Sequence, residues 1–469
     1  MYDHVILLSL DTLRSDAIAA NPFKLWPQKY RVDVKLATPI LDTLAAESAW
    51  FVNCLSAAPY TAASHATIFT GQWPVRHGVY EVFNRKLRSP TVFAHVKPLG
   101  YRTTFKVDFP VVLGPYLGLN RDADHYIVED DEEYLATFER NQRSIDFIHF
   151  GSMQVPYGFH NLQYGGRDYR DRLAELESSV SLLPSDSQDV IVETFRDSAD
   201  LQHMVRYKRV VQSMYAAGRY DDLFSLYLEG VNYFVAGRLE RFLGRLLELL
   251  QGTSYLLVVF GDHGHEYDRE SYGHHNSVSE GALRVPLLFY GPDVEPALHA
   301  TRVRTVDIVP TLLDRLGCEA DCDGASLADV VWGCAGVPVR DAFAQVWTTE
   351  LSAYVEYQRK MLEAGQPVGF LPHVLYSEVL YRGRFRVSQQ HFGYTQDSGV
   401  WGMEVCSPPK QVLERTHVAR YPEPVDDEPL KQAYLERLAL YNATRTDEGE
   451  PADQSRSLRD QLRAMGYRV

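Results

Sequence analysis

Cysteine is scarce in this chain: five occur in 469 residues, an odd number with no Cys-x-x-Cys spacing. This fits reduced thiols better than a disulfide framework or a zinc knuckle, and Cys318 and Cys322, the one close pair, read as structural or incidental. Reduced thiols in a cytoplasmic protein are the expectation. Basic residues are also short, 47 Lys and Arg against 62 Asp and Glu, for a net charge of −15. That balance speaks against a nucleic-acid partner, whose phosphates are bound by Lys and Arg. It leaves room for a small anion held by a metal and a few local groups. Long hydrophobic runs are missing: Val5 to Leu10 is far too short for a membrane span. No secretory leader is expected, since only Tyr2-Asp3-His4 lies between Met1 and this run. Internal repeats and low-complexity tracts are missing as well. An assembly of identical chains stays open.

What is present suits a large globular protein, with 45% hydrophobic residues. The length fits one large domain plus a smaller one. Val5 to Leu10 reads as an apolar, β-branched strand that stops at Asp11. Thr38 to Glu47 has helical spacing, Trp50 to Leu55 reads as a strand, and Ala62 to Phe69 as a short helix. Tyr101 to Val107 and Asp146 to Phe150 read as strands. Residues 166 to 200 are charged and Ser-rich, and read as a surface excursion. Ala199 to Leu250 is helical, with Val231, Phe234, Leu239, Phe242, Leu243, Leu246 and Leu250 spaced by threes and fours. Tyr255 to Phe260 and Val285 to Tyr290 are strands, and Val306 to Leu316 a helix. This alternation predicts an α/β fold with a mostly parallel central sheet sandwiched between helices, over residues 1–340. Beyond that the pattern changes. Ala344 to Trp347 and Val374 to Val387 predict antiparallel strands, and Leu430 to Tyr441 and Ser457 to Met465 helices. Residues 341–469 are therefore expected to form a smaller α+β subdomain.

In open α/β sheets, ligands sit beyond the carboxyl ends of the strands. Asp11 ends the first strand there, and Asp262-His263 follows Tyr255 to Phe260. Thr61 stands at the start of the helix in Pro59-Tyr60-Thr61-Ala62-Ala63-Ser64-His65, which closes at Thr70-Gly71. Each has an ordinary alternative. Thr61 suits an N-cap, Asp11 could cap a helix, and Asp-His-Gly could be a turn. Together they offer carboxylate, imidazole and hydroxyl donors to a divalent cation. A hydroxyl at the positive end of a helix is also placed to attack an anionic centre.

In this combination the chain resembles the sulfatase-like branch of the alkaline phosphatase superfamily. Val5–Asp16 is similar to its opening strand and first metal loop, and Thr61–His65 with Thr70-Gly71, Trp73-Pro74 and His77-Gly78 to its nucleophile segment. Gly261-Asp262-His263-Gly264-His265-Glu266 is similar to the second metal motif. Gly273-His274-His275, Glu280 and Leu283–Pro286 are similar to the histidine loop and next strand. Asp307–Leu313, Asp323–Leu327 and Leu462–Tyr467 follow in the family's order, so the likeness spans nearly the whole chain. It implies one divalent metal (Mn, Zn, Mg or Ca) on Asp11, Thr61, Asp262 and His263. It further implies His274 in the anion pocket, as a ligand of the substrate or a proton donor to the leaving group. Ser64, His65, His275 and Gln154 are the further substrate-side candidates. His265 and His275 are read as lying behind the ligands or facing solvent.

Three positions depart from the family pattern. Sulfatases need Cys or Ser at position 61 to make formylglycine, and Thr cannot be converted. Thr12 stands where many sulfatases carry another Asp ligand. Gln154 replaces the histidine before x-Pro-Tyr, and no Asp-x-x-x-His loop for a second zinc site is found. The resemblance thus implies a one-metal hydrolase of phosphate or phosphonate esters, a diester by expectation, working through a covalent phospho-Thr61. The alternatives are a phosphotransferase that moves a head group to an alcohol, a sulfuric ester hydrolase without formylglycine, and a non-catalytic relative that binds an anion or a partner protein.

Overall fold

The structure is a computed structural model that describes residues 2–80, 86–115, 117–154, 157, 174–183, 199–274, 277–333, 335–348, 374–397, 400–416 and 427–443. The expected helix at Ser457 to Met465, the motif at Leu462–Tyr467 and much of the 166–200 excursion lie outside these residues.

Fifteen strands are described: β1 His4–Leu10, β2 Ala49–Leu55, β3 Arg102–Val107, β4 His125–Val128, β5 Ser144–Phe150, β6 Tyr255–Phe260, β7 Glu266–Tyr267, β8 Tyr272–Gly273, β9 Arg284–Tyr290, β10 Ala297–His299, β11 Val303–Arg304, β12 Ala342–Thr348, β13 Val374–Arg382, β14 Phe385–Asp397 and β15 Val400–Arg415. Nine form one sheet in the order β10-β2-β9-β6-β1-β5-β3-β4, with β11 also on β2. β9 alone runs antiparallel to its neighbours β2 and β6. The remaining pairs are parallel, so the mostly parallel sheet foreseen from the sequence is present.

The central strands are apolar on both faces, the pattern of a sheet covered twice. Val5, Leu7, Phe147 and Val258 enter one cluster with Ile68, Phe69, Ile308 and Leu312 of the helices Thr61–Thr70 and Ile308–Leu316. Ile6, Leu8, Ile148 and Val259 enter the other, against Leu41 and Leu44 of the helix Pro39–Ala46 and the helices between Ala199 and Leu250. Within that helical stretch, Val235–Leu239 winds as one π turn between Tyr220–Phe234 and Glu240–Leu250. Such turns carry an extra residue and re-aim side chains. Arg238, buried, lies within this turn.

Strands β12-β13-β14-β15 make a separate antiparallel sheet. Tyr434 and Leu438 of the helix Asp427–Ala443 pack on it together with Trp73 of the larger unit. Hydrophobic alternation had not singled out β4, β10 or β15 as strands. His125–Val128 and Ala297–His299 lie at the edges of the large sheet with partly exposed residues, where burial imposes little pattern. No helix among the described residues is long and apolar enough to cross a membrane.

Candidate active site

β1 lies between β5 and β6, parallel to both, so their carboxyl ends open at one edge of the sheet. Asp11 follows β1 directly, and its N–H is tied to the Phe150 carbonyl at 3.0 Å. Asp262 lies two residues beyond β6. The loop after β6 can pass this closely only because of its glycines. A Cβ at Gly261 would stand 2.5 Å from the Leu13 carbonyl oxygen, and one at Gly264 would stand 2.2 Å from that of Gly281. Thr12 adopts a left-handed backbone, φ +62°, rare for a β-branched residue and strained at order 1–3 kcal/mol. That conformation lets its N–H reach Asp262 Oδ1 at 3.1 Å while its hydroxyl donates to the Met153 carbonyl at 2.9 Å. The position where a further carboxylate was considered thus fastens three loops together.

The donor set expected from the sequence converges. Asp11 Oδ2 lies 3.4 Å from Thr61 Oγ1, and Thr61 Oγ1 lies 3.3 Å from His263 Nε2. His263 Nε2 stands 3.6 Å from Asp11 Oδ1 and 3.5 Å from Asp262 Oδ2. Gln154 donates to Asp11 Oδ1 at 3.4 Å. Asp11, Asp262 and His263 are wholly buried, whereas Thr61 is 8% and His274 7% exposed. The two groups cast as nucleophile and proton donor thus keep a small solvent exposure that Asp11, Asp262 and His263 lack.

A cation fits this set on two observations. Asp262 Oδ1 accepts the N–H groups of Thr12 and His263, the latter at 2.8 Å, but buried Oδ2 has no hydrogen-bond partner and is turned toward His263 and Asp11. Burial and the nearby Asp262 charge push the Asp11 carboxyl well above the usual carboxylate range. Two buried carboxylates facing each other are unfavourable unless a positive charge stands between them.

Other sequence expectations are corrected. Thr61 is not an N-cap. Tyr60, extended at φ −129° and ψ 134°, holds that position without a side-chain cap, and Thr61 is the first helical residue. The first helical bond runs from Ser64 N–H to the Tyr60 carbonyl, so the amides of Thr61, Ala62 and Ala63 have no acceptor within the helix. The Thr61 hydroxyl turns instead to Asp11 and His263.

Ser64 and His65, expected on the substrate side, are wholly buried beneath the helix. Ser64 donates to the Asp262 carbonyl at 2.7 Å. His65 Nδ1 lies 2.7 Å from the Thr61 carbonyl, which can only accept, so Nδ1 donates and Nε2 receives the Ser9 hydroxyl at 2.8 Å. Burial pushes this ring down to about 4. These contacts hold the Asp262 loop and Thr61 in place and leave nothing for a ligand. His275 lies outside the described residues.

His149 was missed. It is wholly buried on β5, level with Ser9 of β1, and its Nε2 donates to Asp11 Oδ2 at 3.2 Å. Burial holds the ring neutral by pushing it down to about 4. A histidine near the end of a mostly apolar strand was the available signal. Removing a hydrogen bond that orients a ligand costs metal sites about 10–100-fold in affinity. His149→Ala is expected to weaken divalent-metal binding on that scale, read by competition with a chelator; unchanged affinity would remove His149 from this role.

Behind β5 lies a sealed ion cluster. Arg238 grips Asp108 at 2.6 and 3.0 Å and Asp131 at 2.7 Å through two N–H groups, while Lys106 bridges the same carboxylates at 2.7 Å each. Asp108 also receives the Gly151 N–H at 3.0 Å, fixing the loop that carries Gln154. Breaking one member of a buried pair costs about 3–5 kcal/mol because a partner charge is stranded. Arg238→Met is expected to lower unfolding free energy by that amount in denaturant titration; a loss under about 1 kcal/mol would show that the cluster is not coupled to stability.

Three imidazoles line the other side of the site. The His263 and His274 ring centres are 4.4 Å apart, and those of His265 and His274 are 5.0 Å apart. His265 is fully buried, in keeping with a position behind the ligands rather than in solvent. A cleft of about 560 Å³ opens elsewhere, between Trp26, Lys29, Glu270 and the small sheet at Arg386 and Lys410. Neither Thr61 nor Asp11 lines it.

A mostly parallel sheet with these groups at its carboxyl edge is an α/β fold with its candidate site beyond the strand ends. Comparison with known proteins agrees. A family model described as type I phosphodiesterase / nucleotide pyrophosphatase matches residues 5–234, and one described as sulfatase matches residues 203–318. The choline-sulfatase of Rhizobium meliloti (strain 1021) is 25% identical, across 64% of this chain and 67% of that protein. A 2-O GAG sulfatase superposes with a TM-score of 0.58 at 15% identity, covering 99% of this chain and 96% of that one. The phosphonate monoester hydrolase of Agrobacterium radiobacter superposes with a TM-score of 0.56 at 15% identity, covering 94% and 96%. The chain is thus similar in sequence to these two family models, and it shares the fold of the sulfatase and the phosphonate monoester hydrolase.

Proposed function

We propose that this protein hydrolyses phosphate or phosphonate esters, with Thr61 as nucleophile. The observation that carries the reading is the Thr61 hydroxyl at the helix start, next to Asp11 and His263 and at the edge of an otherwise sealed cluster. Thr61 Oγ gives up its proton to water and attacks phosphorus, a new O–P bond forms, and the bond to the ester oxygen breaks. His274 gives the departing alkoxide its proton. Water then cleaves phospho-Thr61, which releases phosphate or phosphonate and restores the hydroxyl. The amides of Thr61, Ala62 and Ala63 face the oxygens of the anion. A divalent cation on Asp11, Thr61, Asp262 and His263 would supply a lowered hydroxyl pKa and charge neutralisation. We divide the chain at residue 340, with the small sheet and its helix bordering the catalytic unit.

A second reading, sulfate-ester hydrolysis without formylglycine, is favoured by the similarity to a choline-sulfatase. Parallel assays with nitrophenyl phosphate monoester, diester, phosphonate monoester and sulfate separate the two. Phosphorus esters are expected to be turned over at least tenfold faster; a preference for sulfate would reverse the assignment. Product analysis with added alcohols tests transfer in place of hydrolysis.

A further inference from the structure

We propose that His263, His265 and His274 form a second cation position, selective for nitrogen-preferring ions and mutually exclusive with the Asp11–Asp262 position. The proposal rests on the reading that Asp11, Asp262 and His263 hold the working metal.

One carbonyl organises the cluster. Gly264 O lies 3.2 Å from His263 Nδ1 and 3.0 Å from His265 Nδ1. A carbonyl can only accept, so both Nδ1 atoms carry the hydrogen and both Nε2 atoms carry the lone pair. This is the arrangement of metal-ligating histidines, whose second nitrogen donates to a backbone carbonyl and so fixes the ring. The β7–β8 hairpin returns the chain through Gly273, φ +66°, which places His274 beside both rings. One nitrogen from each of the three rings lies within 4.8 Å of the other two, all in buried residues.

The two positions differ in chemistry and share one residue, His263. Asp11, Asp262 and Thr61 offer oxygen, which suits Mg²⁺, Ca²⁺ or Mn²⁺, whereas three imidazoles suit Cu²⁺ or Zn²⁺. Asp11 and Asp262 face His263 through Nε2, the nitrogen with the lone pair. One lone pair serves one ion. A nitrogen-preferring ion therefore draws His263 away from the carboxylates.

Cu²⁺ is the probe. One equivalent is added to metal-free protein and nitrogen couplings are counted by electron paramagnetic resonance. Three nitrogens are expected in the wild type and fewer in His265→Gln. A one-nitrogen spectrum in the wild type, or three retained in the variant, would overturn the proposal. The wild-type spectrum decides even if the variant folds poorly. Cu²⁺ is further expected to inhibit Mn²⁺-supported turnover, with the inhibitory concentration at least tenfold higher in His265→Gln; no shift in a folded variant counts against the proposal. Absence of turnover on every ester would strike the functional reading while leaving the copper spectrum to be read.

Discussion

Thr61→Ala is expected to lower turnover roughly 10⁴-fold or more, the scale on which removing a nucleophile disables covalent catalysis. The fold should survive. Thr61 Oγ1 makes only long contacts, 3.3 and 3.4 Å, and caps nothing. Alanine is also the better helix former, by a few tenths of a kcal/mol. Asp11, Asp262 and His263 remain in the variant, so metal content should fall little. Thr61→Ser, which keeps the hydroxyl, should retain measurable turnover. Acid-quenched wild-type enzyme should yield a phosphorylated peptide containing Thr61, and the alanine variant should not. Turnover retained in Thr61→Ala would sink the nucleophile assignment.

Asp11→Asn separates catalysis from stability. The substitution removes one of two carboxylates that face His263, so metal binding should fail. With it go several kcal/mol of charge stabilisation, about 10³-fold in turnover for each 4 kcal/mol. The metal-free protein should nevertheless become more stable at neutral pH. Burial, and then the Asp262 charge, raise the folded-state pKa of Asp11 above the ordinary 3.8. Between those two values the folded state binds more protons than the unfolded state. Stability is therefore full below 3.8 and declines as pH rises toward the raised value. Asparagine cannot ionise and removes that decline. Denaturant titrations of both metal-free proteins across this range test the sign; a variant less stable than the wild type at neutral pH would mean that the Asp11 charge is favourable without a metal.

Much of the fold was legible because its strands are covered on both faces. Val5 to Leu10 and Tyr255 to Phe260 read as buried runs, and both lie in the centre of the sheet. Asp11 and Asp262-His263 could be placed as well, since an acidic residue that ends a buried strand stands at the sheet's carboxyl edge. The failures share one cause. Ser64 and His65 sit in the right segment, but a helix start does not reveal which of its residues face the ligand. His149 shows in the sequence only as a histidine near the end of a mostly apolar strand; that it meets Asp11 follows from parallel pairing, which sets it beside Ser9, 140 residues earlier in the chain.

From the sequence alone came the alternation of strands and helices, the acidic composition that speaks against a nucleic-acid partner, and the residue types able to hold a cation beside a hydroxyl. Those depend on local periodicity and on the chemistry of side chains. Tertiary structure decided the rest: that Thr61 follows the cap, that Ser64 and His65 turn inward, that His149 steadies Asp11, and that Gly264 sets the tautomers of two histidines. These depend on strand register and loop packing between distant residues. Periodicity records that a residue is buried, and only the folded chain determines which residue it meets there.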